Sequence, residues 1–186
     1  MFKILYFLFF AFLSSTVWAQ SKTQISDRHI KFIKQQTIDN RKGSLILKTS
    51  LSRYDKKGNT IENIEYNQDS TITKWEKYTF NKKGDETEFI ELDKDGKLIR
   101  KRISIYNQMG YLTEENNYNS NNKLLEKITI KYNNFNDKIK ETSFDGEGKI
   151  KTSTIFEYDN KGMLKSKRVY NSDEKVIYSK TNNYGY

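Results

Sequence analysis

The sequence predicts an all-β protein, an antiparallel meander of β-hairpins built from a 26-residue unit, with about eleven or twelve strands in an open, curled sheet. Three observations predict it: two interleaved series of turn motifs, stretches of strand-forming residues between them, and a complete lack of proline among 186 residues. Proline removes a backbone donor, so it has few places in a meander whose strands are nearly all paired on both sides.

The first turn series is Tyr54-Asp55-Lys56-Lys57-Gly58, Phe80-Asn81-Lys82-Lys83-Gly84, Tyr106-Asn107-Gln108-Met109-Gly110, Tyr132-Asn133-Asn134-Phe135-Asn136 and Tyr158-Asp159-Asn160-Lys161-Gly162. The second begins at Tyr66, Leu92, Tyr118, Phe144 and Tyr170, so the spacings alternate 12 and 14, and the last step of 14 reaches Tyr184. Chance does not keep such an alternation over ten intervals, and self-similarity of this kind marks a repeat architecture. In each unit an aromatic or leucine ends a strand, Asp or Asn bonds its own backbone two residues on, and Gly or Asn accommodates positive φ. That combination closes a hairpin.

Taken in chain order, residues 1–19 read as a secretory signal peptide. Lys3 precedes an apolar run from Ile4 to Leu13, and Val17-Trp18-Ala19 sets small residues at the cleavage offsets before Gln20. The run is shorter than the roughly 18–20 residues of a membrane span. Processing leaves 167 residues with net charge +8, since Lys3 is the only charge lost, and no further transmembrane segment. Residues 20–37 form a leader or N-terminal cap, with Ser21 to Asp27 expected to be flexible and His29 to Lys34 either a capping strand or one short helix. Residues 38–186 form the repeat domain, starting with an atypical turn at Ile38 to Gly43 and a strand from Ser44-Leu45-Ile46-Leu47. The strands that follow are rich in β-branched and aromatic residues, as in Thr71 to Phe80 and Ile150 to Tyr158. Stacking by the 26-residue period sets Ile72, Leu98, Leu124, Ile150 and Val176 in one column, and Phe80, Tyr106, Tyr132, Tyr158 and Tyr184 in another.

The turn Tyr54-Asp55-Lys56-Lys57-Gly58-Asn59, echoed at Tyr158 to Gly162 and Phe144 to Gly148, resembles the tyrosine–aspartate repeat of the RHS family, over roughly residues 38 to 186. A looser likeness exists to MORN-type repeats. The RHS resemblance implies a β-repeat scaffold outside the cytoplasm with carbohydrate or protein binding. RHS proteins are far longer, and nothing in this chain matches their processing core.

Chemistry is constrained by what is scarce. The sequence has no cysteine and one histidine, His29, which excludes thiol catalysis, iron–sulfur clusters and cysteine-bearing zinc sites, and leaves no histidine cluster. Asp93-Lys94-Asp95-Gly96 has the opening spacing of a calcium loop, but the remaining oxygens are missing, and Asp145-Gly146-Glu147-Gly148 reads the same way, so no metal or cofactor is expected. Glu62, Glu88 and Glu114 fall at periodic positions that suit a solvated sheet face, and no catalytic residue is assigned. An outer-membrane barrel needs a charge-free lipid face, which Glu86-Thr87-Glu88 and Arg100-Lys101-Arg102 deny.

The binding candidates are Trp75, Tyr106, Tyr132 and Tyr158, whose rings suit sugar faces or protein anchors, and Arg100 and Arg102, the sharpest part of a net charge of +9. The expected function is an exported, non-catalytic binding or scaffold protein that recognises a glycan or an envelope or secreted protein through a tyrosine face. An immunity-type or secretion accessory protein is the first alternative, and a periplasmic hydrolase with paired carboxylates the second. Export disfavours nucleic acid as a partner.

Overall fold

The computed structural model describes residues 21–39 and 46–185. Residues 1–19, expected to be a signal peptide, and most of the atypical turn expected at 38–43 lie outside the described residues. One helix, α1 (Lys22–Asp27), precedes β1 (Phe32–Asp39), β2 (Ile46–Tyr54), β3 (Thr60–Tyr66), β4 (Ile72–Phe80), β5 (Glu86–Leu92) and β6 (Leu98–Tyr106). The chain continues through β7 (Leu112–Asn119), β8 (Leu124–Tyr132), β9 (Lys138–Asp145), β10 (Ile150–Tyr158), β11 (Leu164–Asn171) and β12 (Val176–Thr181). All twelve strands form one antiparallel sheet in sequence order, not closed into a barrel. The all-β hairpin meander is therefore the observed fold.

Nine of the ten described turns, all but the one at Asn67, are built alike. Asp55 Oδ1 accepts the backbone N–H of Lys57 and Asn59 at 2.8 and 2.9 Å, and Asn81, Asp93, Asn107, Asn119, Asn133, Asp145, Asp159 and Asn171 repeat this pair of bonds. Three residues after each Asp or Asn the backbone turns left-handed, at glycine in six turns and at Ser70, Asn122, Asn136 and Glu174 in the others. Glutamate carries a Cβ penalty there, of order 1 kcal/mol. Glu174→Gly is expected to raise stability by about 1 kcal/mol in denaturant titration, whereas the same change at exposed Glu147, outside the left-handed position, should not.

From the β2–β3 turn onward, the strand that leaves each turn carries one extra residue. Arg53 pairs with Glu62 but Tyr54 with Thr60, leaving Ile61 as a β-bulge, and the shift recurs at every later turn. Its consequence is shear. Arg102 on β6 pairs with Asn117 on β7, which pairs with Glu126 on β8, whereas the residue one repeat after Arg102 is Ile128. Ser52–Asn63–Glu76 and Thr154–Val169–Tyr178 step by the same two residues. The expected straight columns are thus corrected: equivalent residues keep the same face but slide along the strands. One residue per strand corresponds to a lean of roughly 35° from the rise and spacing of strands.

The sheet is a single layer, and substantial contacts run only between consecutive strands. Among the described residues only Ile25, Ile64 and Phe89 are buried apolar residues. Cohesion therefore lies in the backbone ladder and in cross-strand pairs on both faces. At one margin each repeat is also fastened to the preceding one: Tyr106, Tyr132, Tyr158 and Tyr184 donate their hydroxyls to the carbonyls of Glu86, Leu112, Lys138 and Leu164 at 2.8, 2.8, 2.9 and 3.0 Å. Four of the thirteen tyrosines serve as this recurrent fastener.

The segment expected to be flexible, Ser21 to Asp27, is ordered. Ser21 Oγ accepts the N–H of Gln24 and the Gln24 side chain accepts the N–H of Ser21, a reciprocal cap. Ile25 is buried, and Ser26 Oγ donates to the Lys56 carbonyl at 3.0 Å. Of the segment 29–34, residues 32–34 are strand, with Phe32 opposite Arg53, whereas His29 turns with φ +52°.

Candidate functional site

Paired residues share a face, so the register assigns every strand residue to the α1 face or to the opposite one. On the α1 face, Ile33, Ser52, Asn63 and Glu76 form one row, and Tyr78, Phe89, Arg102 and Asn117 the next. Between α1 and β1–β5 this face bounds a concavity of about 1180 Å³. Tyr54, Tyr78 and Phe80 supply rings, Gln35, Asn59 and Asn63 amides, Ser50, Ser52 and Thr60 hydroxyls, and Glu86 a carboxylate, with Lys22 and Ile25 of α1 on the other side.

The floor is held by charge-assisted bonds. Tyr78 Oη donates to Glu76 Oε2 at 2.6 Å, and Lys74 Nζ lies 3.0 Å from Glu76 Oε1. Burial, and then the bond to Glu76, pushes the Tyr78 phenol well above the ordinary tyrosine range, so it stays protonated and its proton stays with that bond. Phe89 lies beneath the guanidinium groups of Arg100 and Arg102, 5.1 and 5.3 Å from its ring centroid, and 5.5 Å from the Tyr78 ring. Arg102 also bonds Glu86 at 2.7 Å and faces Glu115 at 3.8 Å, while Arg100 pairs with Glu91.

Of the candidates read from sequence, Arg100, Arg102 and Tyr106 share the α1 face, with Tyr132 and Tyr158 farther along it. Trp75 is on the opposite face, in the row of Leu51, Ile64 and Leu92. Its Nε1 donates to Glu62 at 2.9 Å, and Lys77 lies over its ring. The six do not form one site. The rings that line the concavity, Tyr54, Tyr78 and Phe80, and its amides at Gln35 and Asn63 were missed because face assignment depends on the bulges. The Ser21-x-x-Gln24 cap was the legible signal for a helix that bounds it.

The Asp93 loop is a hairpin turn: Asp93 Oδ1 accepts two backbone N–H groups, and Lys94 Nζ bonds both Asp95 oxygens. Among the described residues no group of three acidic or histidine side chains converges as a metal site would.

The turn bonds give a pH signature. The backbone N–H groups of Lys97 and Lys149 hold the carboxyls of Asp93 and Asp145 below their ordinary 3.8, and Lys127 and Lys151 hold Glu114 and Glu126 below 4.5. A folded-state pKa below the unfolded one adds stability that is present above the unfolded value and lost as pH falls through the folded one. Urea midpoints are expected to stay level down to about pH 5 and to fall below about pH 4. Asp93→Asn with Asp145→Asn, which reproduces the turns at Asn107 and Asn119, should flatten that acid limb.

The fold and its turns define an open β-hairpin repeat protein. No family model and no curated protein matches the chain. Among solved structures, a porin-like protein from Bacteroides uniformis is similar at a TM-score of 0.31 and 15% identity, over 80% of this chain and 94% of that one. The TcdB2-TccC3-Cdc42 complex and the Tc holotoxin pore of Photorhabdus luminescens each give a TM-score of 0.29 at 10% identity, over 81% and 82% of this chain. The chain spans 11% of the length of each of those two.

Proposed function

We propose that this is an exported, non-catalytic repeat protein of the tyrosine–aspartate kind that binds a neutral or weakly charged glycan in the concavity between α1 and β1–β5. The observation that carries the reading is the lining itself. Rings at Tyr54, Tyr78 and Phe80 offer apolar faces, while Gln35, Asn63, Ser50 and Ser52 offer paired donors and acceptors within one space of about 1180 Å³. Sugars present that same alternation of C–H faces and hydroxyl edges. The signal-like pattern of residues 1–19 supports export, and the cysteine-free repeat suits a scaffold that needs no redox chemistry.

Glycan-array screening of the purified protein, followed by calorimetry on the best hit, tests the reading. Gln35→Ala and Phe80→Ala should each weaken the interaction about tenfold, since each removes a recognition group while the fastening tyrosines stay. Absence of any glycan hit, with capture of one envelope or toxin protein that these variants abolish, would replace this reading by the immunity or accessory role.

A further inference from the structure

Many of the strand cations lie against an acid, although Lys167 and Lys180 oppose one another directly on the α1 face. On the face opposite α1, Arg53 and Lys77 flank Glu62 at 2.8 and 3.9 Å, and Lys127 reaches Glu114 at 2.7 Å. Between β8 and β11 the same face carries two lysines that do not lie against an acid. Lys131 is directly opposite Lys140, and the row continues through Ile155 to Arg168 and Ser179. Neither lysine has an ion pair among the described residues, and only Arg168 meets an acid, Glu157, at 3.2 Å. Like charges directly opposite one another destabilise a sheet, so this row carries an uncompensated cost.

The neighbouring row on the same face is Thr129, Thr142, Ser153 and Tyr170. The sheet here therefore presents a line of cations spanning β8 to β11, roughly 14 Å at ordinary strand spacing, beside a line of hydroxyls that ends on an aromatic ring. We propose that this surface binds a linear acidic polysaccharide laid across the strands. Carboxylates of the polymer neutralise Lys131 and Lys140, with Arg168 beside its Glu157 partner at the end of the row, sugar hydroxyls meet Thr129 and Ser153, and Tyr170 supplies a ring for the sugar face. The site lies on the opposite face from the concavity and stands without the glycan reading given above.

The test is a titration of the full protein with oligogalacturonate, beside dextran of matched length and a single-stranded oligonucleotide. A double variant, Lys131→Gln with Lys140→Gln, is compared with a charge-matched control at exposed turn positions, Lys97→Gln with Lys123→Gln. The double variant is expected to bind oligogalacturonate about tenfold more weakly than the control, and yet to melt about 1–3 °C higher without ligand, because the repulsion is gone. The opposite signs separate a binding row from a generally basic surface. Equal weakening by the control, dextran binding as tight as oligogalacturonate, or an oligonucleotide bound more tightly than the polyuronate would each overturn the proposal. A double variant that melts lower would overturn its premise.

Discussion

Gly58→Ala is expected to detach α1 from the sheet. Gly58 has φ +77° in the turn between β2 and β3, and a Cβ there would lie 2.2 Å from the Lys22 carbonyl oxygen and 3.2 Å from the Ser26 nitrogen. Both are backbone atoms of the helix, so no side-chain rotation relieves the clash. Gly162 occupies the same turn position with φ +76° and nothing within 4 Å of its Cβ site. Gly162→Ala therefore costs only the left-handed conformation, about 1–2 kcal/mol. Gly58→Ala pays that and also the docking of Ile25 and the Ser26 to Lys56 bond. In hydrogen exchange, amides of α1 should lose their protection in Gly58→Ala and keep it in Gly162→Ala. Glycan binding should fall only in the former, because α1 forms one side of the concavity.

Phe89→Ala is expected to cost about 3 kcal/mol, near the low end for a buried phenylalanine. Phe89 is 7% exposed in a sheet that has no second layer to cover it. Its cover consists of the Tyr78 ring and the two arginine heads, which the ring attracts through its face and whose aliphatic stems exclude water. Truncation removes the ring under both guanidinium groups at once, and the loss includes those contacts as well as the transferred area. Phe135→Ala gives the contrast, since Phe135 is 85% exposed in the β8–β9 turn and should change stability by less than about 0.5 kcal/mol. Urea midpoints at constant m-value measure both.

Much of the fold was written in one short motif. The aromatic, the Asp or Asn after it and the left-handed residue three further on form a local hydrogen-bonded unit, so each copy declares a turn without reference to the rest of the chain. Tyr66 and Leu92 end their strands as the spacing required, and Tyr118 lies one residue before the end of its own. The shear was not legible, because a bulge is a property of two strands: Thr73 and Ile99 look like ordinary strand residues until Glu65 and Glu91 are seen to pair past them. Without the bulges the two faces cannot be told apart, which is why Trp75 was grouped with tyrosines of the other face. The role of Tyr106, Tyr132 and Tyr158 was half legible. Their period marked them as structural, but their hydroxyl bonds to carbonyls twenty residues back follow only from the lean of the strands. Ser21 to Asp27 was missed for a different reason: six residues are too few for a stable isolated helix, and this one exists because Gly58 leaves room for it.

The two-residue step per repeat sets which side chains share a row, and so the rows from which both proposed binding surfaces are built. Cross-strand nuclear Overhauser contacts from Asn117 test it most directly. The account expects contacts from the Asn117 backbone to that of Arg102 on one side and Glu126 on the other; contacts to Ile128 in place of Glu126 would mean an unsheared sheet and would contradict it.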